Sequence, residues 1–147
     1  MKPCVYRISQ KILLFSTIIM FLASVVNLLL LFLLEIPMLV PISSFSALRF
    51  MFIAVFEQNA LYAALSILIL VVILSSIFFI WKQKKIVPLV FSVYLVIDTL
   101  FLAYLFFYEL FIKFYFDHTY FIMLLWHGGI LTLLTIYFVR LYRTNKQ

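Results

Sequence analysis

Residues 86–108 read IVPLVFSVYLVIDTLFLAYLFFY, and only one of these 23 residues, Asp98, carries a charge. A helix needs about 20 apolar residues to cross the hydrocarbon core of a bilayer. Three more stretches, 12–34, 58–81 and 118–139, contain no Lys, Arg, Asp or Glu and run for 23, 24 and 22 residues. The pattern predicts an all-α fold, a bundle of four transmembrane helices over about 12–34, 59–81, 86–108 and 119–140. The spans fill about two-thirds of the 147 residues, so 1–147 is read as a single membrane domain.

Composition agrees. The chain is 68% hydrophobic and 11% charged, whereas soluble domains average about half apolar and a quarter charged. A soluble fold of this size could not hide so much apolar surface. A disordered chain and a disulfide scaffold are excluded as well, the latter because Cys4 is the single cysteine. Cys4 reads as a free thiol, with lipidation as the alternative. Lys2, Arg7 and Lys11 before the first span resemble the start of a secretory leader. The apolar run that follows is much longer than the roughly 7–15 residues of a leader, so it is expected to stay as an anchor.

The cations set the expected orientation, because Lys and Arg are retained on the cytoplasmic side. With the N-terminus inside, Lys2, Arg7, Lys11, Lys82, Lys84, Lys85, Arg140, Arg143 and Lys146 are cytoplasmic, and only Arg49 and Lys113 lie outside. Both termini are therefore expected in the cytoplasm. The acids Glu35, Glu57, Glu109 and Asp117 then lie at or beyond the outer edge. The net charge of +6 is split among helix ends. It needs no nucleic-acid partner, and anionic headgroups are its natural counterpart.

The one sizeable loop spans 35–57. Pro37 and Pro41 stop the first helix from continuing, and Ser43-Ser44 can cap a short apolar helix through Phe56. That piece is too short to span, so it is expected in the outer interface or folded over the bundle. Phe111, Phe114, Tyr115 and Phe116 in the second outer connection, and Trp81 at the inner edge, read as interfacial aromatics.

Chemical motifs are missing from the sequence. Gly128 and Gly129 are the only glycines, so there is no phosphate-cradling loop and no GxxxG face. There is no HExxH and no cysteine-based metal signature. No cofactor or metal is expected. The adjacent glycines read as a place of close helix packing.

Three residues are costly where they fall: Asn27, Asp98 and His127. Counting about 1.5 Å per residue from the expected outer helix ends puts all three about 10–15 Å below the outer surface. The third and fourth spans form an antiparallel hairpin, so Asp98 and His127 could face each other. Tyr94 sits four residues before Asp98, on the same face, and can donate a hydrogen bond to it. An Asp–His pair can relay protons. The plainer reading has Asp98 locking helix packing and Asn27 bonding between helices, and it is preferred. Ser75, Ser76, Thr132 and Thr135 are expected to bond back to their own helices.

Some landmarks suggest kinship. Glu57 and Asn59 precede the second span, Lys82-Gln83-Lys84-Lys85 and Pro88 join it to the third, and the chain closes Tyr137-Phe138-Val139-Arg140-Leu141-Tyr142-Arg143-Thr144. In these features it resembles the YdgK-like domain of unknown function, a group of small four-helix bacterial inner-membrane proteins. The resemblance implies a bundle fold and a bacterial inner (plasma) membrane location, and it brings no catalytic residues.

The functional expectation is a non-enzymatic membrane protein acting by helix packing, as an accessory or assembly subunit beside a membrane-protein partner or its own copies. The alternative is a small transporter or proton-coupled permease using Asp98 and His127. An intramembrane enzyme is the weakest reading, since no nucleophile–base set is evident.

Overall fold

The computed structural model describes the backbone of residues 3–34 and 40–144, and the side chains of 8–33 and 40–143. Lys2, Glu35, Pro37 and Lys146 lie outside the described residues, as do the side chains of Cys4 and Arg7.

The described residues form five helices and no strand: α1 (Pro3–Leu34), α2 (Phe45–Phe56), α3 (Ala60–Trp81), α4 (Ile86–Ile112) and α5 (His118–Thr144). Four of them, α1, α3, α4 and α5, are long and apolar enough to cross a membrane. The chain is thus a multi-pass membrane protein with a fifth, short helix between its first two spans. The long helices run past the charge-free stretches, because a backbone at the membrane boundary keeps its hydrogen bonds while its charged side chains reach water. Lys11 and Arg140 are accordingly helical.

The main core lies toward the α3–α4 end. Leu13 and Met20 of α1, Ile73 and Ile80 of α3, Phe91 and Leu95 of α4, and Ile130, Leu134 and Tyr137 of α5 meet there, all 1% exposed or less. Two long-range bonds close this end. Gln10 Nε2 donates to Ile80 O (2.9 Å) and Tyr137 Oη donates to Lys84 O (2.8 Å). Both acceptors are carbonyls at or just past the C-terminus of α3, where the regular ladder of the helix runs out, and Ile80 O also receives Gln83 N at 3.2 Å.

The other half of the bundle is built around α2, the short apolar helix expected between the first two spans. Its start reaches in among α1, α3 and α4. Ser44 N donates to Ser24 Oγ at 2.8 Å. Ser24 lies ten residues before Leu34, about 15 Å down α1 from that end. From there α2 climbs back. Phe45 packs on Leu102 of α4 and Met123 of α5, while Leu48, Met51 and Ala54 pack on Leu28 and Leu31 of α1. The chain therefore descends into the bundle over 40–44 and returns as a half-length helix to Glu57. An isolated apolar helix of 12 residues would leave its amphipathic partner undecided. What decides it here is the set of polar groups waiting at depth.

Candidate functional site

Serine residues start α2. Ser44 is its N-cap, extended at φ −72° and ψ 122°, and its Oγ accepts from Ala47 N. A helix start leaves N–H groups without partners and carries a partial positive charge. Inside a bilayer no water is at hand to satisfy them. The acceptor is Asp98 of α4, whose Oδ1 receives Ser46 N at 3.0 Å and Ser46 Oγ at 2.5 Å. Asp98, 1% exposed, thus has a reason to be in the membrane: it is the counter-charge for the inner end of α2.

The other carboxylate oxygen is engaged as well. Tyr94 Oη donates to Oδ2 at 2.8 Å, one helical turn away on α4. His127 Nε2 lies 3.3 Å from the same oxygen, across from α5. The expected Asp98–His127 and Tyr94–Asp98 contacts are therefore both present. Since the Tyr94 hydrogen goes to Asp98, the hydrogen between Ser44 Oγ and Tyr94 Oη belongs to Ser44. His127, fully buried, also contacts Met123 O through Nδ1 at 2.7 Å.

Asn27 bonds to the segment that leads into α2. Its Nδ2 donates to Val40 O (2.9 Å) and to Ser43 Oγ (3.0 Å), and its Oδ1 accepts from Val40 N (3.0 Å). A side-chain amide that donates to the carbonyl and accepts from the N–H of one residue pins that residue as a neighbouring strand would. It holds the descending segment, while Ser24 holds Ser44. On α3, Ser66 Oγ donates to Ala47 O at 2.7 Å.

Sequence reasoning located Asn27, Tyr94, Asp98 and His127, and it missed Ser24, Ser46 and Ser66. A serine in an apolar helix commonly bonds to its own backbone, as Ser76, Thr132 and Thr135 do here. The available signal was the cluster Ser43-Ser44-Phe45-Ser46, three hydroxyls at the start of an otherwise apolar helix.

The glycine expectation is also corrected. A Cβ added at Gly128 or Gly129 would meet nothing within 4 Å, so neither is required by close packing within this chain. Gly129 instead borders a groove of about 370 Å³ between α1 and α5, with Ser16, Trp126 and Thr132 on its walls. Among the described residues no group of three or more His, Cys, Asp or Glu could hold a metal ion.

Comparison with protein-family models, with curated proteins and with solved structures gave no match.

Proposed function

We propose that this chain is a non-enzymatic integral protein of a bacterial inner membrane, with both termini cytoplasmic, acting as an accessory or assembly subunit by packing against other membrane helices. One observation carries the reading. The carboxylate of Asp98 is surrounded by donors from its own chain, Ser46 N, Ser46 Oγ, Tyr94 Oη and His127, and is buried. The single intramembrane charge is then engaged in holding the fold. The exterior left for function is the apolar lateral surface of the spans, including Phe15, Leu68, Ile97 and Leu125, all more than half exposed. Its partners are the bilayer and either a membrane protein or further copies of the chain. The placement of nine of the 11 cations on one side, and the resemblance to the YdgK-like group, support the orientation and the membrane assigned.

The reading is tested by gentle extraction of the tagged chain from its native membranes. A stoichiometric membrane-protein partner or a defined homo-oligomer is expected. A lone monomer would count against it.

A second reading, a proton-coupled permease, is favoured by one feature. Transporters point half-helix N-termini at their binding sites near the bilayer midplane, and α2 points one at the Asp98–His127 pair. In proteoliposomes it predicts a pH-gradient-driven flux that Asp98→Asn abolishes. The accessory reading predicts no flux in either protein.

A further inference from the structure

We propose that Arg49 of α2 binds the phosphate of a membrane phospholipid, whose acyl chains lie along the face that α2 and α4 present to the bilayer. The inference goes beyond both functional readings and holds under either.

Arg49 is charged and exposed, yet it stands inside the span. Its level follows from a neighbouring contact. Ser46 N of α2 meets Asp98 of α4 at 3.0 Å. Arg49 and Phe101 each come three residues later, on helices that climb the same way, so both lie about 4.5 Å beyond that contact. The guanidinium carbon of Arg49 is 5.1 Å from the centre of the Phe101 ring. The side chain therefore reaches across to α4 at its own level, and not along α2 toward water. From Phe101 to Tyr108, the expected end of the span, seven residues of α4 remain, about 10 Å. In a hydrocarbon core about 30 Å thick, that level is among the acyl chains.

A guanidinium there needs a counter-anion. The described part of the chain supplies none. Its ion pairs are Lys113–Glu109 and His127–Asp98. Asp117 is engaged at the start of α5, where it accepts from Thr119 N and Tyr120 N. Glu57 stands eight residues beyond Arg49, about 12 Å further toward the end of the bundle. The Phe101 ring takes only the face of the guanidinium. The N–H groups lie in its plane, and no hydrogen bond among the described residues uses them. That planar fork of donors matches two oxygens of a phosphate.

The surroundings match the rest of the same molecule. Phe52 follows Arg49 by one turn of α2, and Ile97 and Tyr104 flank Phe101 by one turn on α4; all three are exposed. A cation set among lipid-facing rings and alkyl groups suits an anion that carries apolar chains. A free phosphate would offer nothing to those side chains. The seated phosphate is drawn below its usual level, as in the local thinning that an intramembrane arginine imposes.

The test uses the full chain in maltoside micelles, which contain no phosphate. The probe is a phosphatidylglycerol with a photoreactive diazirine near the head of one acyl chain, and crosslinks are mapped by mass spectrometry of peptides. Labelling is expected on 49–56 and 97–104. Arg49→Gln is expected to weaken the probe's Kd there by about tenfold or more. Arg49→Lys, which keeps the charge and loses the fork, should retain part of the affinity. Lys82→Gln, at the other end of the bundle, should leave these peptides labelled as before. A diacylglycerol probe with the same chains and no phosphate is expected to label them weakly. Equal labelling by the two probes, or equal labelling of Arg49→Gln and the unchanged chain, overturns the proposal. Displacement of the probe by millimolar inorganic phosphate would assign the site to the free ion and overturn it as well. In native membranes supplied with the probe the same peptides should label. Their absence there would mark the face as covered by a protein and also overturn it.

Discussion

Asp98, Tyr94 and His127 were legible from sequence because each is expensive in hydrocarbon and must find company. Spacing along α4 gave the Tyr94 contact, and the antiparallel hairpin gave the His127 contact. The donors from α2 were not legible, since a serine is cheap at depth and announces nothing. The energetic order of these contacts can be predicted. Single polar contacts inside membrane proteins average about 0.6 kcal/mol and reach about 1.7 kcal/mol. Tyr94→Phe removes one donor from a charged acceptor and should cost about 1–2 kcal/mol. Asp98→Ala removes the acceptor for four donors on three helices and leaves the start of α2 without a counter-charge. It should cost about 3–5 kcal/mol. Reversible unfolding in bicelles by steric trapping measures both. Equal costs would show that Asp98 is not the centre of the cluster.

At the scale of the element, α2 is the informative piece. Its cap and its end at Phe56 were readable, because Ser44 and the run of apolar residues are local signals. Its depth was not readable, because depth depends on an acceptor 52 residues away in sequence. The ends of the helices hold a second lesson. The chain has two glycines, both inside α5, so the left-handed residues that stop its helices are not glycines. Gln58 at φ 51° follows α2 and Gln83 at φ 56° follows α3. In each case the next residue bonds back five positions, Asn59 N to Ala54 O and Lys84 N to Phe79 O, which is the Schellman closure. A side chain in this conformation costs about 1–2 kcal/mol, and both glutamines are exposed. Gln58→Gly and Gln83→Gly are therefore expected to stabilise the fold by up to about 1 kcal/mol each, the unfolded chain's added freedom offsetting part of the gain. Ser44→Ala should do the opposite. Loss of an N-cap costs about 1 kcal/mol, and here the Tyr94 contact is lost too. Thermal unfolding in detergent ranks the three variants, and a destabilised Gln83→Gly would show that Gln83 holds its conformation through contacts of its own.

The whole molecule divides into two ends with different tasks. The α3–α4 end is a dry core of Leu, Ile, Phe and Tyr closed by bonds to α3 carbonyls. The end that admits α2 gathers the polar residues the bundle buries beyond their own helices: Ser24, Asn27, Ser66, Asp98 and His127. Four-span architecture followed from charge spacing alone, whereas this division required knowing where α2 goes. Orientation follows from the cations and can be tested as a pair. Lys84 lies in the α3–α4 connection and Phe114 in the α4–α5 connection, at opposite ends of α4, and both are exposed. In intact cells, in the Cys4→Ser background, an impermeant thiol reagent should label Phe114→Cys and spare Lys84→Cys, and permeabilisation should expose the second. Lys113 beside Phe114 does not weaken the prediction. It is one cation, 2.7 Å from Glu109, against the three lysines of the α3–α4 connection, Lys82, Lys84 and Lys85, which outweigh it. The reverse labelling pattern would place three lysines of one short connection outside, and the orientation assigned would then be wrong.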